Sequence, residues 1–221
     1  MHLVAALSQD LPIVYLARHG ETAWSLSGQH TGLTDLPLTE RGERNARALG
    51  KRLQGLTFST VLTSPLRRAA RTCELAGFGD VAEMDRDLVE WNYGKYEGRR
   101  TAEIRAERPD WQLFRDGCPG GESPEQVGLR ADRVVRRVRA VQGNVLLFSS
   151  GHFLRVLVAR WLGLEPGAGR YFLLGTASLS ALGYEGGLSQ PVIRVWNDTS
   201  HVESSLHPRA GIAGAAQEAK R

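Results

Sequence analysis

The sequence predicts a three-layer α/β/α sandwich, in which helices cover both faces of a mostly parallel sheet. Short apolar runs of strand length alternate with longer stretches whose apolar residues recur at helical spacing. Three of these runs, at residues 13–16, 58–63 and 144–149, are followed by small or cationic residues. Ligands bind at the carboxyl ends of strands in open α/β sheets, so these ends predict one binding edge.

Composition places the chain among soluble globular proteins. Its 221 residues suffice for one domain with a proper core, and 42% of them are hydrophobic and 24% charged. No apolar run approaches the length of a membrane span, and residues 1–10 lack the basic region of a secretory signal. We therefore expect a cytoplasmic protein without a membrane partner.

The net charge is +4, because the chain has 28 basic and 24 acidic residues. All but three of the basic residues are arginines. Either a GC-rich genome favours arginine codons, or the protein binds an anionic substrate. The arginines are scattered and no recognised motif accompanies them, so nucleic acid is not an expected partner. Cys73 and Cys118 have no metal-ligand spacing, which predicts free thiols. We expect no metal and no other cofactor.

The first predicted strand, at residues 13–16, is rich in β-branched and aromatic residues and leads into Arg18-His19-Gly20. A neutral imidazole can attack phosphorus and form a covalent intermediate. The planar guanidinium of Arg18 matches phosphate oxygens, and Gly20 lets the backbone turn close to a ligand. For the Arg-His pair by itself, a surface position is the alternative.

Residues 24–38 are predicted to form a loop rich in glycine, threonine and serine. Its hydroxyl, amide and backbone N–H groups suit a cradle for phosphate and sugar hydroxyls, although a plain surface loop is equally compatible. Thr39 then caps a helix that Gly55 closes.

The second strand, at residues 58–63, runs into Ser64 and Pro65, which suits the first turn of a helix. A helix N-terminus after a strand favours an anion, and Arg68 lies where it can reach that anion. Arg67 and Arg71 lie on the other side of the helix and are expected to face solvent.

Glu90 is surrounded by aromatic residues, which predicts an apolar pocket that favours the neutral carboxylic acid. A general acid near neutral pH needs such an environment. A structural acid paired with an arginine is the alternative. A short helix is predicted at residues 101–107 and irregular structure at 110–121.

Ser123 caps a long amphipathic helix whose arginines are expected to face solvent and whose apolar face comprises Val127, Leu129, Val134, Val138 and Val141. The strand at residues 144–149 is followed by Ser150-Gly151-His152 and a helix that ends near Trp161. Two more strands are predicted at residues 178–184 and 191–196. We expect one domain over residues 1–203 and a flexible tail over residues 204–221.

Four motifs occur in order: Arg18-His19-Gly20, Arg68 after a Ser-Pro-Leu segment, Glu90 before Gly-x-x-Glu-Gly, and a strand leading into Ser-x-Gly-His-x-Leu-Arg. Together they resemble the histidine phosphatase superfamily, also called phosphoglycerate mutase-like, over roughly residues 12–200. Within it, residues 24–35, 90–94, 115–118 and 121–123 are most similar to the sedoheptulose-1,7-bisphosphatase type of sugar phosphatase.

This resemblance implies a phosphoglycerate mutase-like fold and a metal-free, two-step hydrolysis of phosphate monoesters. His19 would take the phosphoryl group, Arg18 and Arg68 would hold its oxygens, and Glu90 would protonate the leaving group. The implied substrate-binding set comprises Ser25, Gln29, His30, Thr31, Gly32, Trp91, Tyr93, Gly151, His152 and Arg155.

Ser150 departs from the family pattern, in which a second catalytic histidine stands at that position. His152 lies two residues further on, so in a helix its side chain points away from that of Ser150. We expect His152 to flank the pocket and not to replace the missing imidazole. Serine donates one hydrogen bond but carries no charge. Ser150 therefore predicts either a naturally slow or altered enzyme, or a substitution introduced to quiet the enzyme and preserve a bound substrate.

Two other functions stay open. A cofactor-dependent phosphoglycerate mutase is disfavoured, because such members carry a longer basic insertion before the position of Glu97. A non-catalytic phosphate-ester-binding pseudoenzyme is favoured by Ser150 alone. The expected partner is a phosphorylated small molecule, and the expected assembly is a monomer or a homodimer.

Overall fold

The computed structural model describes residues 11–202. Its strands are β1 (Val14–Arg18), β2 (Thr60–Thr63), β3 (Glu83–Met84), β4 (Val145–Ser149), β5 (Leu179–Tyr184) and β6 (Pro191–Asp198). Its α-helices are α1 (Ala23–Ser27), α2 (Glu40–Arg52), α3 (Arg67–Leu75), α4 (Thr101–Glu107), α5 (Leu113–Asp116), α6 (Pro124–Arg139) and α7 (Gly151–Trp161). Short 3₁₀ turns lie at Arg86–Leu88, Gly94–Tyr96 and Pro166–Tyr171.

The strands form one sheet in the order β3-β2-β4-β1-β5-β6. β3, β2, β4 and β1 are parallel to one another, whereas β5 pairs antiparallel with both β1 and β6. Arg18 pairs with Ser149 and Thr63 pairs with Phe148, so β1, β2 and β4 end at one edge. The residues that follow these three strands therefore meet there.

Alternate side chains of each central strand enter two different cores. Val14 of β1 and Leu147 of β4 pack on one face, in the core that α6 and α7 cover. Ala17 and Phe148 pack on the other face, against α2 and α3. Helices thus lie on both sides of the sheet, and the predicted three-layer α/β/α fold is confirmed.

Helix α1 was not predicted, because serine, threonine and glycine in residues 24–38 indicated a loop. Thr22 and Ser25 instead form a capping box, in which each side chain accepts the other residue's backbone N–H group. This reciprocal cap satisfies two donors at the start of the helix. The prediction of a loop is therefore wrong over residues 24–27.

Helix α3 begins at Arg67 and not at Pro65. The Ser64 hydroxyl accepts the N–H group of Leu66, and the Asp35 carboxylate accepts that of Arg67 at 2.7 Å. Pro65 thus lies in the turn before the helix, and a carboxylate distant in sequence sets where the helix starts. Arg67 is exposed and Arg71 forms ion pairs near the surface, as expected.

Other predictions hold in part. The helix at Thr101–Glu107 and the capping roles of Thr39 and Ser123 are confirmed. Within residues 110–121, expected to be irregular, the Asp116 carboxylate accepts the N–H group of Gln112 and closes the short helix α5. β3, which has only two residues, was missed.

The apolar face of α6 is narrower than the sequence predicted. Val127, Val134 and Val138 are buried, but the side chain of Leu129 is 61% exposed. Two residues along a helix correspond to a rotation of about 200°, so Leu129 points away from the core that Val127 enters. The expected outward position of the arginines fails at Arg130, whose half-buried side chain bonds to residues that precede α6.

No helix within residues 11–202 is both long and apolar enough to cross a membrane. The N-terminal residues 1–10 and the predicted tail, residues 204–221, lie outside the described part of the chain.

Candidate active site

The turn after β1 holds His19 against neighbouring elements. The His19 N–H group donates to the carbonyl of Ser149, and the Gly20 N–H group donates to the Thr72 hydroxyl at 3.0 Å. A Cβ atom on Gly20 would lie 2.5 Å from the carbonyl oxygen of Gly42, which no side chain tolerates. Glycine is therefore required here because two backbones pack directly against each other.

The imidazole of His19 is buried and oriented by one hydrogen bond. Its Nδ1 lies 2.7 Å from the carbonyl oxygen of Gly20, which can only accept, so Nδ1 carries the proton. Burial, with Arg68 and Arg18 nearby, lowers the pKa of His19 well below its ordinary value. At neutral pH the ring is uncharged, and its Nε2 atom presents a lone pair.

Two guanidinium groups flank this imidazole. Arg18 donates through one terminal nitrogen to the carbonyl of Leu174, and Arg68 donates to the carbonyls of Thr34 and Gly32. In each arginine the Nε atom is buried and has no hydrogen-bond partner among residues 11–202. Burial lowers the pKa of both groups, yet arginine stays charged at neutral pH. Two buried cationic donors beside a neutral imidazole form a site for an anion.

Glu90 reaches the same region from the segment before α4. Its Oε1 accepts the N–H groups of Trp91 and Phe153, and its Oε2 accepts that of His152 at 3.0 Å. His152 and Phe153 belong to the first turn of α7, whose free N–H groups favour a carboxylate. Glu90 is buried as predicted, but backbone donors surround its oxygens where the sequence predicted an apolar pocket.

Ser150 and Gly151 occupy the junction of β4 and α7. Ser150 is fully buried and stands at the N-cap of α7, but its side chain makes no capping hydrogen bond. The hydroxyl has no hydrogen-bond partner within the described range of the chain. A Cβ atom on Gly151 would lie 3.1 Å from Nε and Cζ of Arg18, so glycine at this position lets the guanidinium approach α7.

Residues 11–202 contain no group of three or more histidine, cysteine or acidic side chains arranged to hold a metal ion. The geometry is that of an anion site with one imidazole and one carboxyl group. A family model described as "Histidine phosphatase superfamily (branch 1)" matches residues 14–199. The chain belongs to the histidine phosphatase superfamily. This membership confirms the resemblance inferred from the motifs. Together with the phosphatases among its relatives, it identifies the chain as a phosphoric monoester hydrolase.

Individual relatives agree with this assignment. An acid phosphatase of Mycobacterium tuberculosis is 43% identical over 179 residues, which cover 79% of this chain and 88% of the relative. The sedoheptulose 1,7-bisphosphatase of Saccharomyces cerevisiae is 38% identical over 186 residues, covering 69% and 68%. A solved structure of a Mycobacterium tuberculosis open reading frame product superposes with a TM-score of 0.80 at 40% identity, covering 84% of this chain and 97% of that one.

A cluster of neutral rings lies next to the anion site of this histidine phosphatase. The Tyr93 hydroxyl lies 2.5 Å from Nδ1 of His152, and the His30 ring centre lies 4.8 Å from that of Tyr93. Burial raises the pKa of Tyr93 well above its ordinary value, so the phenol donates to His152. Burial likewise lowers the pKa of His152 well below its usual range, and it lowers that of His30 to about 4.

Four polar residues of the predicted substrate-binding set are occupied within the protein. The Ser25 hydroxyl accepts the Thr22 N–H group in the capping box of α1, and the Gln29 amide donates to the carbonyl of Gly98. The Thr31 hydroxyl donates to the carbonyl of Gln29. Arg155 donates to the carbonyls of Gly169 and Arg170. These groups therefore shape the site. The sequence could not show that their side chains form hydrogen bonds with backbone groups.

Trp91 and Gly32 also serve packing. Trp91 has no exposed surface, and its indole N–H donates to the carbonyl of Glu122. A Cβ atom on Gly32 would lie 2.5 Å from the carbonyl oxygen of Trp91. The Glu97 carboxylate accepts the N–H groups of Gly32 and Thr34, the loop whose carbonyls hold Arg68. Glu97 belongs to a quoted motif, but its positional role was missed.

Proposed function

We propose that the enzyme hydrolyses phosphate monoesters of sugars or similar polyols through a phosphohistidine intermediate on His19. The observation that carries this proposal is the orientation of His19 between two cations. Its Nδ1–H group is held by the Gly20 carbonyl, so Nε2 is free to attack, while Arg18 and Arg68 each present a buried Nε–H group. A neutral nucleophile beside two cationic donors suits attack on a phosphate dianion.

In the first step, the Nε2 lone pair of His19 forms a bond to phosphorus and the bond from phosphorus to the ester oxygen breaks. Glu90 delivers its proton to that oxygen, and the alcohol departs. Oε1 of Glu90 accepts two N–H groups whereas Oε2 accepts one, so we assign the proton transfer to Oε2, the less engaged oxygen. The phosphorylated ring becomes cationic, and its Nδ1–H bond to Gly20 stabilises that charge.

In the second step, the Glu90 carboxylate takes a proton from water while the water oxygen bonds to phosphorus. The bond between phosphorus and Nε2 breaks, and its electron pair returns to His19. Inorganic phosphate then leaves, and Glu90 is again protonated. One carboxyl group thus serves as acid and then as base.

The leaving-group side of the site supports a sugar or polyol substrate. His30, Tyr93 and His152 are neutral at physiological pH and present rings and hydrogen-bonding atoms next to Glu90. Aromatic rings pack on the C–H faces of sugars, and their polar atoms bind hydroxyl groups. The similarity to the yeast bisphosphatase supports the same substrate class.

Ser150 occupies the family's second-histidine position and would donate its hydroxyl to one phosphoryl oxygen. It carries no charge, so we expect a slower reaction than with an imidazole. Loss of one stabilising donor typically costs on the order of 10²–10³ in rate.

Trapping the covalent intermediate tests the proposal. The enzyme is mixed with p-nitrophenyl phosphate, quenched in alkali and digested, and the phosphorylated peptide is identified by mass spectrometry. We expect the label on His19, and its loss together with several orders of magnitude of activity in His19→Ala. His201→Gln serves as the matched histidine control, because within residues 11–202 the His201 ring bonds the Ala177 carbonyl and no group that is proposed to act in the reaction. Full hydrolysis by His19→Ala, or a label elsewhere, would contradict the proposal.

A phosphate-ester-binding protein without turnover is the second candidate, because Ser150 is the feature that favours it. Phosphate release from a panel of sugar phosphates separates the two, with Ser150→His as the matched variant. If neither the unmodified protein nor Ser150→His releases phosphate from any substrate, the binding protein is favoured. Adding a bisphosphorylated glycerate detects a mutase, which would transfer the phosphoryl group where a phosphatase releases it.

A further inference from the structure

Arg130 of α6 forms an ion pair with Glu122 that is largely covered by the protein. Its side chain is only 11% exposed and that of Glu122 is 19% exposed. Nε of Arg130 donates to Oε1 of Glu122 at 2.8 Å, and a terminal nitrogen donates to Oε2 at 2.9 Å. This two-bonded arrangement fixes the plane of the guanidinium group.

The remaining donors of Arg130 bind the backbone that carries Glu90. One terminal nitrogen donates to the carbonyls of Asp87 at 2.7 Å and Val89 at 3.0 Å. The other lies 3.4 Å from the carbonyl oxygen of Glu90 itself. One side chain therefore holds three of the four consecutive peptide units that end at Glu90.

The same guanidinium also contacts the element that binds the Glu90 carboxyl group. The Cζ atom of Arg130 lies 4.9 Å from the ring centre of Phe153, in a cation–π contact. The backbone N–H group of Phe153 donates to Oε1 of Glu90 at 2.7 Å. Arg130 thus links the backbone of Glu90 to the start of α7, where the carboxyl group is oriented.

Glu122 extends this link to the residues after Glu90. Its Oε2 accepts the N–H group of Asn92 at 2.8 Å, and its backbone carbonyl accepts the indole N–H of Trp91. The Arg130–Glu122 pair therefore fixes the chain on both sides of Glu90.

We propose that Arg130, paired with Glu122, is the positioning residue that aims the Glu90 carboxyl group at the leaving-group oxygen. This inference rests on the proposed function, in which Glu90 is the proton donor. Proton transfer requires hydrogen-bond distance between donor and acceptor, and misplacement by about 1 Å can cost roughly 10²-fold in rate. Arg130 acts through Glu90 and does not touch the substrate.

The leaving group provides a measurement that separates positioning from folding. The p-nitrophenolate ion departs without a proton, whereas the alkoxide of glycerol phosphate needs one. We expect Arg130→Lys, which keeps the charge but loses the planar fork, to lower kcat/KM for glycerol phosphate by about 10- to 100-fold. The same variant should lower kcat/KM for p-nitrophenyl phosphate by no more than about threefold, since that leaving group does not depend on the donor.

Arg133→Lys is the matched control. Arg133 lies one turn further along α6 and binds the carboxylate of Asp87 in an ion pair, with its side chain 49% exposed. It anchors the same segment without touching the Glu90 carbonyl or the Phe153 ring. In this control, we expect the ratio of kcat/KM to that of the unmodified enzyme to be the same for both substrates.

Should Arg130→Lys fail to fold, Glu122→Gln tests the same link, because the amide keeps the size of the side chain and weakens the fork. We expect kcat/KM to fall more for glycerol phosphate than for p-nitrophenyl phosphate, as in Arg130→Lys but by a smaller factor. An equal loss with both substrates in the folded variants, or a larger substrate dependence in Arg133→Lys, would overturn the positioning role.

Glu90→Gln distinguishes failure of this inference from failure of the proposed function. If Glu90→Gln also lowers kcat/KM equally for both substrates, the proton-donor role of Glu90 is wrong. If Glu90→Gln spares p-nitrophenyl phosphate but Arg130→Lys shows no preference, only the positioning role of Arg130 is wrong.

Discussion

Replacing two neighbouring serines by alanine should change the stability of the enzyme in opposite directions. Ser149 and Ser150 are both fully buried at the end of β4. The Ser149 hydroxyl donates to the carbonyl of Leu88 at 2.6 Å. The Ser150 hydroxyl has no partner among the residues that the structure describes. Ser150→Ala is therefore expected to stabilise the ligand-free protein, and Ser149→Ala to destabilise it.

The magnitudes follow from hydrogen bonding. A buried polar group without a partner costs roughly 1–3 kcal/mol, so Ser150→Ala should raise the free energy of unfolding by about 1 kcal/mol or more. Ser150 makes no capping hydrogen bond, so the substitution loses no helix cap. Ser149→Ala leaves the Leu88 carbonyl without its donor and should lower the same free energy by about 1–3 kcal/mol. In a domain of this size, 1 kcal/mol corresponds to about 2–4 °C in Tm.

The gain in stability at Ser150 should come with a loss of activity. In the proposed mechanism this hydroxyl donates to a phosphoryl oxygen, and a lost donor typically costs on the order of 10²–10³ in rate. The Ser150→His variant, which adds an imidazole donor, should instead be faster than the unmodified enzyme.

Urea unfolding and thermal melts in phosphate-free buffer measure the stabilities, because a bound anion would pair the Ser150 hydroxyl. The activity measurement is kcat/KM with p-nitrophenyl phosphate. If Ser150→Ala destabilises the protein as much as Ser149→Ala, the hydroxyl is paired in the ligand-free enzyme and the reasoning fails. Unchanged kcat/KM in Ser150→Ala would show that the hydroxyl does not contact the transferring group.

Three further predictions concern pH, packing and thiol chemistry. The pKa of His30 is about 4 in the folded enzyme and about 6.5 in the unfolded chain, so its contribution to stability is present above pH 6.5 and lost as pH falls toward 4. This contribution amounts to about 3 kcal/mol. In His30→Gln, the free energy of unfolding measured with urea should therefore depend less on pH between pH 7 and 4.5. A steeper pH dependence in that variant would contradict the assignment. Gly151→Ala should push the Arg18 guanidinium away and weaken inhibition by inorganic phosphate about tenfold, with a small change in Tm. Unchanged inhibition would mean that Arg18 does not hold the anion. Burial raises the pKa of Cys73 and Cys118 to about 12, so a thiol reagent at pH 8 should react with them only in urea, as a colorimetric assay would show.

The edge of the sheet that carries the site was predictable from local sequence. Arg18 is the last residue of β1 and Ser150 directly follows β4, and the parallel pairing of these strands places the two residues together. Arg68 was predicted from the strand before it, although the helix around it starts two residues later than expected. Short-range signals therefore suffice for the placement of these groups.

The roles of individual polar side chains were less predictable. Ser25 and Gln29 have the residue types of a ligand cradle, but their side chains bond the backbone of Thr22 and of Gly98. Arg130 has the spacing of a solvent-facing arginine, yet its half-buried side chain bonds to Glu122 and to the backbone of Glu90. A side chain's type fixes which hydrogen bonds it can make, whereas distant segments decide which of them it makes.

The two arginines give the proposed mechanism its internal consistency. Burial, together with Arg68 and Arg18, lowers the pKa of His19, so the cations that attract the phosphate also help to keep the nucleophile unprotonated. Phosphorylation of Nε2 makes the ring cationic, which the same arginines would oppose if the phosphoryl group did not bring its own negative charge. In the proposed mechanism the carbonyl of Gly20, which accepts from Nδ1 in the structure, would also accept from it in the phosphorylated ring, so the ring would need no reorientation between attack and hydrolysis. A positive ring is thus tolerated between these arginines when it carries the phosphoryl group, and when that group leaves, the site returns His19 to its neutral, nucleophilic form.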